Sequence, residues 1–457
     1  MINRALGDIE RMIKNAELHG DAELSIQGVS INSRDDLHGK LFIPIKGERF
    51  NGHEFVADAF QKGAVACLWK KDEPNKPSDV PLILVDDTLT ALQQLAHSYR
   101  HELKLKVVGV TGSNGKTSTK DMIFSVLSTE YKVEKTEGNF NNHIGLPLTV
   151  LKTEEDTEIL VLEMGMSGRG EIELLSKIAE PDVAVITNIG ESHLQDLGSR
   201  EEIAEAKLEI TAGLKAGGSL IFMGDEPLLQ ERIGRYTDIK LISFGQEETN
   251  EYYPVFIKQE SNGTSFTCNK ASRPFFIPIL GRHNVFNSLA TLAVSQVLNI
   301  TWENAIRGLS QLKMTKMRAE ISSGIKGSTI INDAYNASPT SMKAAIQLLQ
   351  DLEGYKRKFL ILGDMLELGD QEIPFHQEVG RAIDPTKIDY VFTFGELGKQ
   401  IATGATAQLT DKRVFSFTNK HELIESVESK LNEKDVVLVK ASRGMRLEEV
   451  VEALSQK

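Results

Sequence analysis

Cysteine is nearly absent: Cys67 and Cys268 are the only two, and they stand far apart in the chain. That excludes a disulfide framework and a cysteine-built zinc site. No uninterrupted apolar run is long enough to span a bilayer. The opening segment, MINRALGDIERMIKN, lacks an apolar h-region and reads as an amphipathic helix, so the expected location is the cytoplasm. Basic residues are outnumbered by acidic ones, 52 against 65, and the net charge of −13 argues against a general nucleic-acid surface, because counterion release needs clustered Lys and Arg. Any anion must then be held by local sites and not by the overall field. There is no internal repeat and no low-complexity tract. What remains, 457 residues at 40% apolar and 26% charged, fits a soluble globular chain of about two to four domains.

The stretch from Leu105 to Asp121, LKVVGVTGSNGKTSTKD, organises the rest. Val107, Val108 and Val110 read as a buried strand, a Gly-rich turn follows, and an amphipathic helix opens at Lys116-Thr117. Such a strand, turn and helix make a phosphate cradle. Gly112 and Gly115 let backbone amides approach phosphate oxygens, and the helix N-terminus adds its dipole. Lys116 suits the β/γ-phosphates and the Thr117 hydroxyl suits Mg²⁺. Where the general pattern G-x-x-x-x-G-K-[ST] has its first Gly, this chain has Val110. The plain alternative is an ordinary glycine turn with an accidental lysine, and the strand and helix context argues against it.

Residues 1–86 read as a small α/β unit, with strands LFIPI (41–45), ACLW (66–69) and PLILV (81–85) and a helix over 53–63. Ser33-Arg34, after the strand-like VSI, and the basic loop KGERFNGH can each hold a phosphate or be a solvated turn. A helix over 88–103 leads into residues 87–313, where strand–helix alternation implies a parallel sheet with helices on both faces. Strands over 158–165, 182–190 and 219–224 place Glu163 and His193 beyond strand C-terminal ends, the edge where ligands gather. Beside a nucleotide loop, both read as Mg²⁺ ligands, His193 being the less usual kind. Ile203, Lys207, Ile210 and Leu214 share one helical stripe. On the pattern alone Lys207 is a lysine snorkelling at the stripe margin. A polar loop, TEGNFNNHIG, precedes a Pro-interrupted apolar segment, and its Asn139, Asn141 and Asn142 suit a hydroxyl- or amide-rich substrate. In GRHNVFN, Asn284 reads as a helix N-cap and Asn287, one turn inside, as a ligand contact. Residues 314–457 repeat the pattern of apolar strand and polar Gly-rich turn without a second Lys-Thr loop, as a second doubly wound domain does.

TGSNGKTS, Glu163 in EMG, His193, Lys207 in AKLEI and GRHNVFN together resemble the Mur ligases, ATP-dependent enzymes that build the peptide of bacterial peptidoglycan. The resemblance runs along essentially the whole chain. It implies an α/β fold of three domains: a small N-terminal UDP-substrate domain, a central P-loop parallel-sheet ATPase domain, and a C-terminal Rossmann-like domain contacting ATP and D-Ala-D-Ala. GNFNNHIGLPLT, INDAYNASPTSM, LGDMLELG and KASRGMRLEEVV are similar to the member that closes the series. That implies joining of D-alanyl-D-alanine to UDP-N-acetylmuramoyl-tripeptide, with ATP and Mg²⁺, by a monomer. The diaminopimelate-adding member carries an Asp-Asn-Pro-Arg motif that the C-terminal part of this chain lacks.

By the same resemblance, Gly112, Ser113, Asn114, Gly115, Lys116, Thr117 and Ser118 hold ATP, Asn287 meets the adenine, and Arg318 and Asp333 reach the nucleotide from the C-terminal domain. Thr117, Glu163 and His193 hold Mg²⁺, and Lys207 matches the family's carbamylated lysine, which supports the metal site. Ser33 and Arg34 match contacts to the UDP part, where the family carries Asp before the Ser and this chain has Asn32. Thr136, Asn139, Asn141 and Asn142 match the muramyl-tripeptide loop. The implied chemistry is phosphorylation of a peptide carboxylate to an acyl phosphate, attack by the amine, and loss of phosphate. Two rivals stand beside it, a folylpolyglutamate synthetase and a non-enzymatic nucleotide switch. The domain layout also carries an expectation: in an unliganded structure, Arg318 and Asp333 should often lie too far from the phosphate loop to share a nucleotide.

Overall fold

The computed structural model describes residues 1–260 and 262–456, so Lys457, the last residue of the expected C-terminal domain, lies outside the described residues. Around the expected phosphate strand, Lys106–Thr111, six parallel strands form one sheet. Its spatial order is Lys240–Phe244, Ser219–Met223, Val183–Ile186, Lys106–Thr111, Ile159–Glu163 and Val133–Lys135. The phosphate strand sits between the strands ending at Glu163 and at Ile186, so the three following loops open at one edge. Both faces are covered, which explains the unbroken apolar runs. Val107 belongs to the core shared with helix Thr88–Glu102, whereas Val108 and Val110 pack with helices Lys116–Leu127 and Arg282–Val297. Each such buried side chain stabilises by roughly 1.5–3 kcal/mol.

The N-terminal part holds a five-stranded sheet, Glu17–His19, Leu82–Val85, Ala66–Lys70, Leu41–Phe42 and Val29–Ser30, with only the first strand antiparallel to its neighbour. The opening segment is not one helix. Asn3–Ala5 pairs as a strand with Ser25–Gln27, and the helix runs only over Leu6–Met12. The buried Ile2, whose amide donates to Leu151 O (2.8 Å), ties the first residues to the rest of the chain before the helix can start. LFIPI is a strand only at Leu41–Phe42, because Pro44 has no amide with which to extend the ladder. Pro147 lies inside helix Gly145–Lys152, in the first turn, where its missing N–H costs nothing. Leu41 and Ile83 share a core with Leu146 and Leu160, so the N-terminal and central sheets pack through helix Thr88–Glu102 without a gap.

Two further departures concern the central part. Between its last strand and helix Arg282–Val297 the alternation breaks: Pro254–Glu260, Gly263–Cys268 and Phe275–Ile277 form an antiparallel three-stranded sheet. Asn262-Gly263 between alternating runs was the sequence signal for that hairpin. The Lys207 helix is also shorter than its stripe. It ends at Leu208, and a 3₁₀ turn over Glu209–Gly213 follows, with Gly213 so close to helix Glu171–Ala179 that a Cβ there would stand 2.1 Å from Ser176 O.

The C-terminal sheet runs Glu320–Ser323, Thr329–Asn332, Val436–Lys440, Lys358–Gly363, Tyr390–Phe394 and Val414–Phe417, parallel except for the first strand. Both edge strands escaped the sequence reading. They are short and only partly buried, so neither carries the continuous apolar run of the inner strands. No helix among the described residues is long and apolar enough to cross a membrane.

Candidate active site

The loop after Lys106–Thr111 is pinned from behind. Gly112 has φ 144° and Gly115 φ 80°, and an added Cβ would stand 1.9 Å from Thr187 Oγ1 at the first and 2.7 Å from Asn287 Oδ1 at the second. Glycine is required at both by backbone angle and by space. Thr187 Oγ1 donates to Asn114 O (2.5 Å), Asn114 N to Asn188 Oδ1 (3.0 Å), and Gly190 N to Ser113 Oγ (2.9 Å). Gly115 caps helix Lys116–Leu127 with no side-chain bond, which leaves first-turn amides for an anion. The Lys116 ammonium donates to Gly112 O (2.6 Å) and Ser113 O (3.3 Å), within its own loop. Burial lowers its pKa, with Glu163 pulling the other way and Arg318 adding to the fall.

Glu163 closes its strand 3% exposed. Its Oε1 accepts from Asn141 Nδ2 (2.9 Å), while Oε2 has no hydrogen-bond partner and lies 3.9 Å from Lys120 Nζ. His193 stands in the left-handed region (φ 65°) at the start of the short helix Leu194–Leu197. Glu367 Oε2 lies 3.1 Å from its Nδ1, outside hydrogen-bond geometry, so that nitrogen too is without a partner. Burial, then the charges of Lys207 and Lys116, push the imidazole down to about 4, so it is neutral at pH 7. Lys207 is not a snorkelling lysine. It is 0% exposed, its Nζ has no hydrogen-bond partner, and burial followed by Lys116 drives its pKa well below the ordinary value against the weaker pull of Glu209 and Glu171. The helix face there has no route to solvent, which the stripe alone could not reveal.

The opposite wall comes from the C-terminal sheet. Arg318 Nη2 donates to Thr117 Oγ1 (3.3 Å), and its guanidinium lies 4.1 Å from the Tyr335 ring centroid. Asp333 accepts from Lys440 Nζ (2.6 Å) and from Ala319 N (3.2 Å), and Lys440 also donates to Asn336 O (3.0 Å). Ser338 Oγ donates to Asn114 Oδ1 (3.2 Å) and Thr340 Oγ1 to Glu191 (2.8 Å). The expected open gap is therefore absent: Arg318 and Asp333 line the same cavity, about 540 Å³, as the phosphate loop. Hydrogen bonds across the crevice hold it shut. Asp121 contributes from the loop helix, accepting from Thr315 N (2.9 Å) and Oγ1 (2.7 Å) at the entry to the C-terminal part. Burial alone would raise the Asp121 carboxyl, but Lys120 and Lys135 outweigh it and hold it lowered and charged.

Of the residues expected from the sequence, Ser113 to Ser118, Asn141, Asn142, Glu163, His193, Asn287, Arg318 and Asp333 all line this cavity. Gly112 lies behind the loop against Thr187. Thr136 is corrected: it is 0% exposed, and its hydroxyl accepts from Glu163 N (3.0 Å), so it positions Glu163 from beneath. Asn139 is exposed and outside the lining. Ser33 and Arg34 lie in the N-terminal part, away from the lining, in a turn where Asn32 Oδ1 accepts from Arg34 N (3.0 Å). Asn284 is not an N-cap. Gly281 holds that position, and Asn284 donates to Leu280 O (2.8 Å) and accepts from Asn287 Nδ2 (3.1 Å), fixing the residue that crowds Gly115. The sequence reading missed Lys120 and Lys440. Lys440 had a signal, a charge closing the apolar run VVLV.

Three family models match the chain: "Mur ligase family, catalytic domain" over residues 25–100, "Mur ligase middle domain" over 110–295, and "Mur ligase, glutamate ligase domain" over 317–443. The UDP-N-acetylmuramoyl-tripeptide–D-alanyl-D-alanine ligase of Bacillus subtilis is 55% identical over 455 residues, 99% of each chain. A crystal structure of MurF from Acinetobacter baumannii superposes with a TM-score of 0.91 at 29% identity, covering 100% of both chains. MurF from Thermotoga maritima in complex with ADP gives 0.83 at 32% identity, covering 93% of this chain and 96% of that one.

Proposed function

The chain belongs to the Mur ligase family, and on that premise we propose that it joins D-alanyl-D-alanine to UDP-N-acetylmuramoyl-tripeptide, using ATP. The observation that carries the reading is the single cavity in which a phosphate loop, an Asn-rich loop and the C-terminal wall meet. The folylpolyglutamate synthetase reading is not favoured by the relatives, and a nucleotide switch leaves the Asn-rich loop without a purpose. The division at 1–86, 87–313 and 314–457 is part of this reading, supported by the separate N-terminal, central and C-terminal sheets.

A peptide carboxylate is a poor electrophile, so it first takes the γ-phosphoryl group of ATP, with ADP leaving. The amine then attacks the acyl carbon, a proton departs from nitrogen, and phosphate leaves the tetrahedral intermediate. Lys116, the first-turn amides and Arg318 offset charge on the transferring group. Closure by Ser338, Thr340 and Arg318 excludes water that would hydrolyse the acyl phosphate. Thr117, Glu163 and His193 would hold Mg²⁺, since Glu163 Oε2 and His193 Nδ1 are buried donors without partners. When bound, the ion supplies Lewis-acid stabilisation of phosphoryl oxygens. Lys207 in this reading is carbamylated: a buried, depressed amine is neutral enough to add CO₂, and the resulting anion suits a metal site. The nucleotide base lies toward Asn287, and Ser33 and Arg34 take the UDP end of the substrate.

A smaller cavity, about 140 Å³, shares His193 and Asn336 with the main one and is otherwise walled by Leu366, Ser442 and Arg443 among others. Arg443 suits a carboxylate, and the position beside His193 suits entry of D-alanyl-D-alanine. In this reading the enzyme works in the cytoplasm and the chain acts as a monomer.

ADP release tests the reading. It should require UDP-muramyl-tripeptide and rise on adding D-alanyl-D-alanine; release indifferent to both would sink it. Asp333→Ala should weaken ATP use, by stranding the buried Lys440 and loosening the turn at Ala319, while leaving affinity for the UDP substrate nearly unchanged. Loss of UDP-substrate binding with ATP use spared would refute the assignment.

A further inference from the structure

We propose that His97, His101 and Glu180 form a site for a divalent transition-metal ion such as Zn²⁺, apart from the nucleotide cavity, clamping helix Thr88–Glu102 to the end of helix Glu171–Ala179. The two histidines stand one helical turn apart and face the same way, the spacing by which one helix presents two imidazoles to one ion. Their Nε2 atoms are 3.2 Å apart, and each lies 3.3 Å from Glu180 Oε1. All three ligand atoms fall within 4.8 Å of one another, the one such group among the described residues.

The carboxylate is aimed by the backbone. Glu180 takes the left-handed conformation (φ 45°, ψ 69°) that ends the helix, a place where glycine is usual, and its amide donates to Ser176 O (2.8 Å). Arg100, the nearby cation, is occupied: Nε donates to Ala179 O (2.9 Å), and Nη2 lies 4.0 Å from Asp182. The three side chains keep 42%, 52% and 30% of their surface, so an ion can enter and waters can complete its shell. Two imidazole nitrogens and one carboxylate oxygen are a donor set for Zn²⁺, Ni²⁺ or Cu²⁺ and not for Mg²⁺. Helix Thr88–Glu102 joins the cores of the N-terminal and central sheets, so an ion here would fasten the joint between them.

The same geometry would serve a proton shared between the rings, and metal titration separates the two. The full chain is titrated with Zn²⁺ under saturating Mg²⁺ by calorimetry, with melting followed in parallel. The expected result is one Zn²⁺ per chain at this site and a Tm rise of about 3 °C when free zinc is roughly a hundred times its dissociation constant. His97→Gln and His101→Gln should each weaken that binding by at least ~10-fold, since loss of even an outer-shell partner costs about 10–100-fold. Cu²⁺ at the site should show two nitrogen couplings by electron paramagnetic resonance. Ligation without zinc should match the unmodified chain in both variants, which confirms that they fold. Absence of zinc binding, or binding unchanged in both variants, overturns the proposal.

Discussion

Lys116→Ala is expected to lower turnover by ~10²–10³-fold, with a smaller effect on affinity for the UDP substrate. The ammonium sits at the helix N-terminus among the loop carbonyls of Gly112 and Ser113, and Glu163 and Arg318 are close enough to perturb it. It can therefore meet a phosphoryl group without moving the loop. The helix dipole and first-turn amides remain in the variant, so nucleotide binding should persist while the transferring phosphoryl group loses its charge partner. Burial lowers the Lys116 pKa, so its charge is held at some cost to the fold, and its removal should not unfold the loop, which Thr187 and Asn188 pin independently. ADP release under saturating substrates is the measurement. Near-normal ligation would take Lys116 out of the mechanism.

Lys207→Ala should abolish most ligation, and short carboxylic acids should restore part of it by entering the space the side chain leaves. The expectation comes from a lysine with no exposed surface and no partner for its ammonium. An unpaired buried ammonium is destabilising, so the folded protein favours the neutral amine, the form that adds CO₂. His193 gives an independent readout. With Lys207 as a cation, that imidazole is held down to about 4 by burial and by Lys207 and Lys116. A carbamate reverses the sign of one of those charges and favours the imidazolium, so His193 should titrate higher in carbonated buffer than in CO₂-free buffer. Full activity of Lys207→Ala without additive would make the lysine structural, and a His193 titration blind to CO₂ would argue against the carbamate.

The inner strands of the central and C-terminal sheets were legible because burial on both faces writes unbroken apolar runs such as VVGV, ILVLE and VAVI into the chain. The phosphate loop was legible for a second reason: strand, glycine turn and helix start are contiguous, so local chemistry specifies them. Edge strands Glu320–Ser323 and Val414–Phe417 left no such run, and the antiparallel sheet at Pro254–Ile277 was marked only by Asn262-Gly263. Single polar residues were harder still. Thr136 and Asn141 lie in one stretch, yet Thr136 supports Glu163 from below while Asn141 reaches its carboxylate from the cavity side. The sequence by itself determined the inner sheet strands, the Lys116 cradle and the candidate acids. Tertiary structure alone decided that Lys207 has no path to water, that Arg318 rests on Thr117, and that Lys440 neutralises Asp333. Backbone propensity and periodicity act over a few residues, whereas burial and charge pairing depend on which distant segments pack together, and no local pattern encodes that.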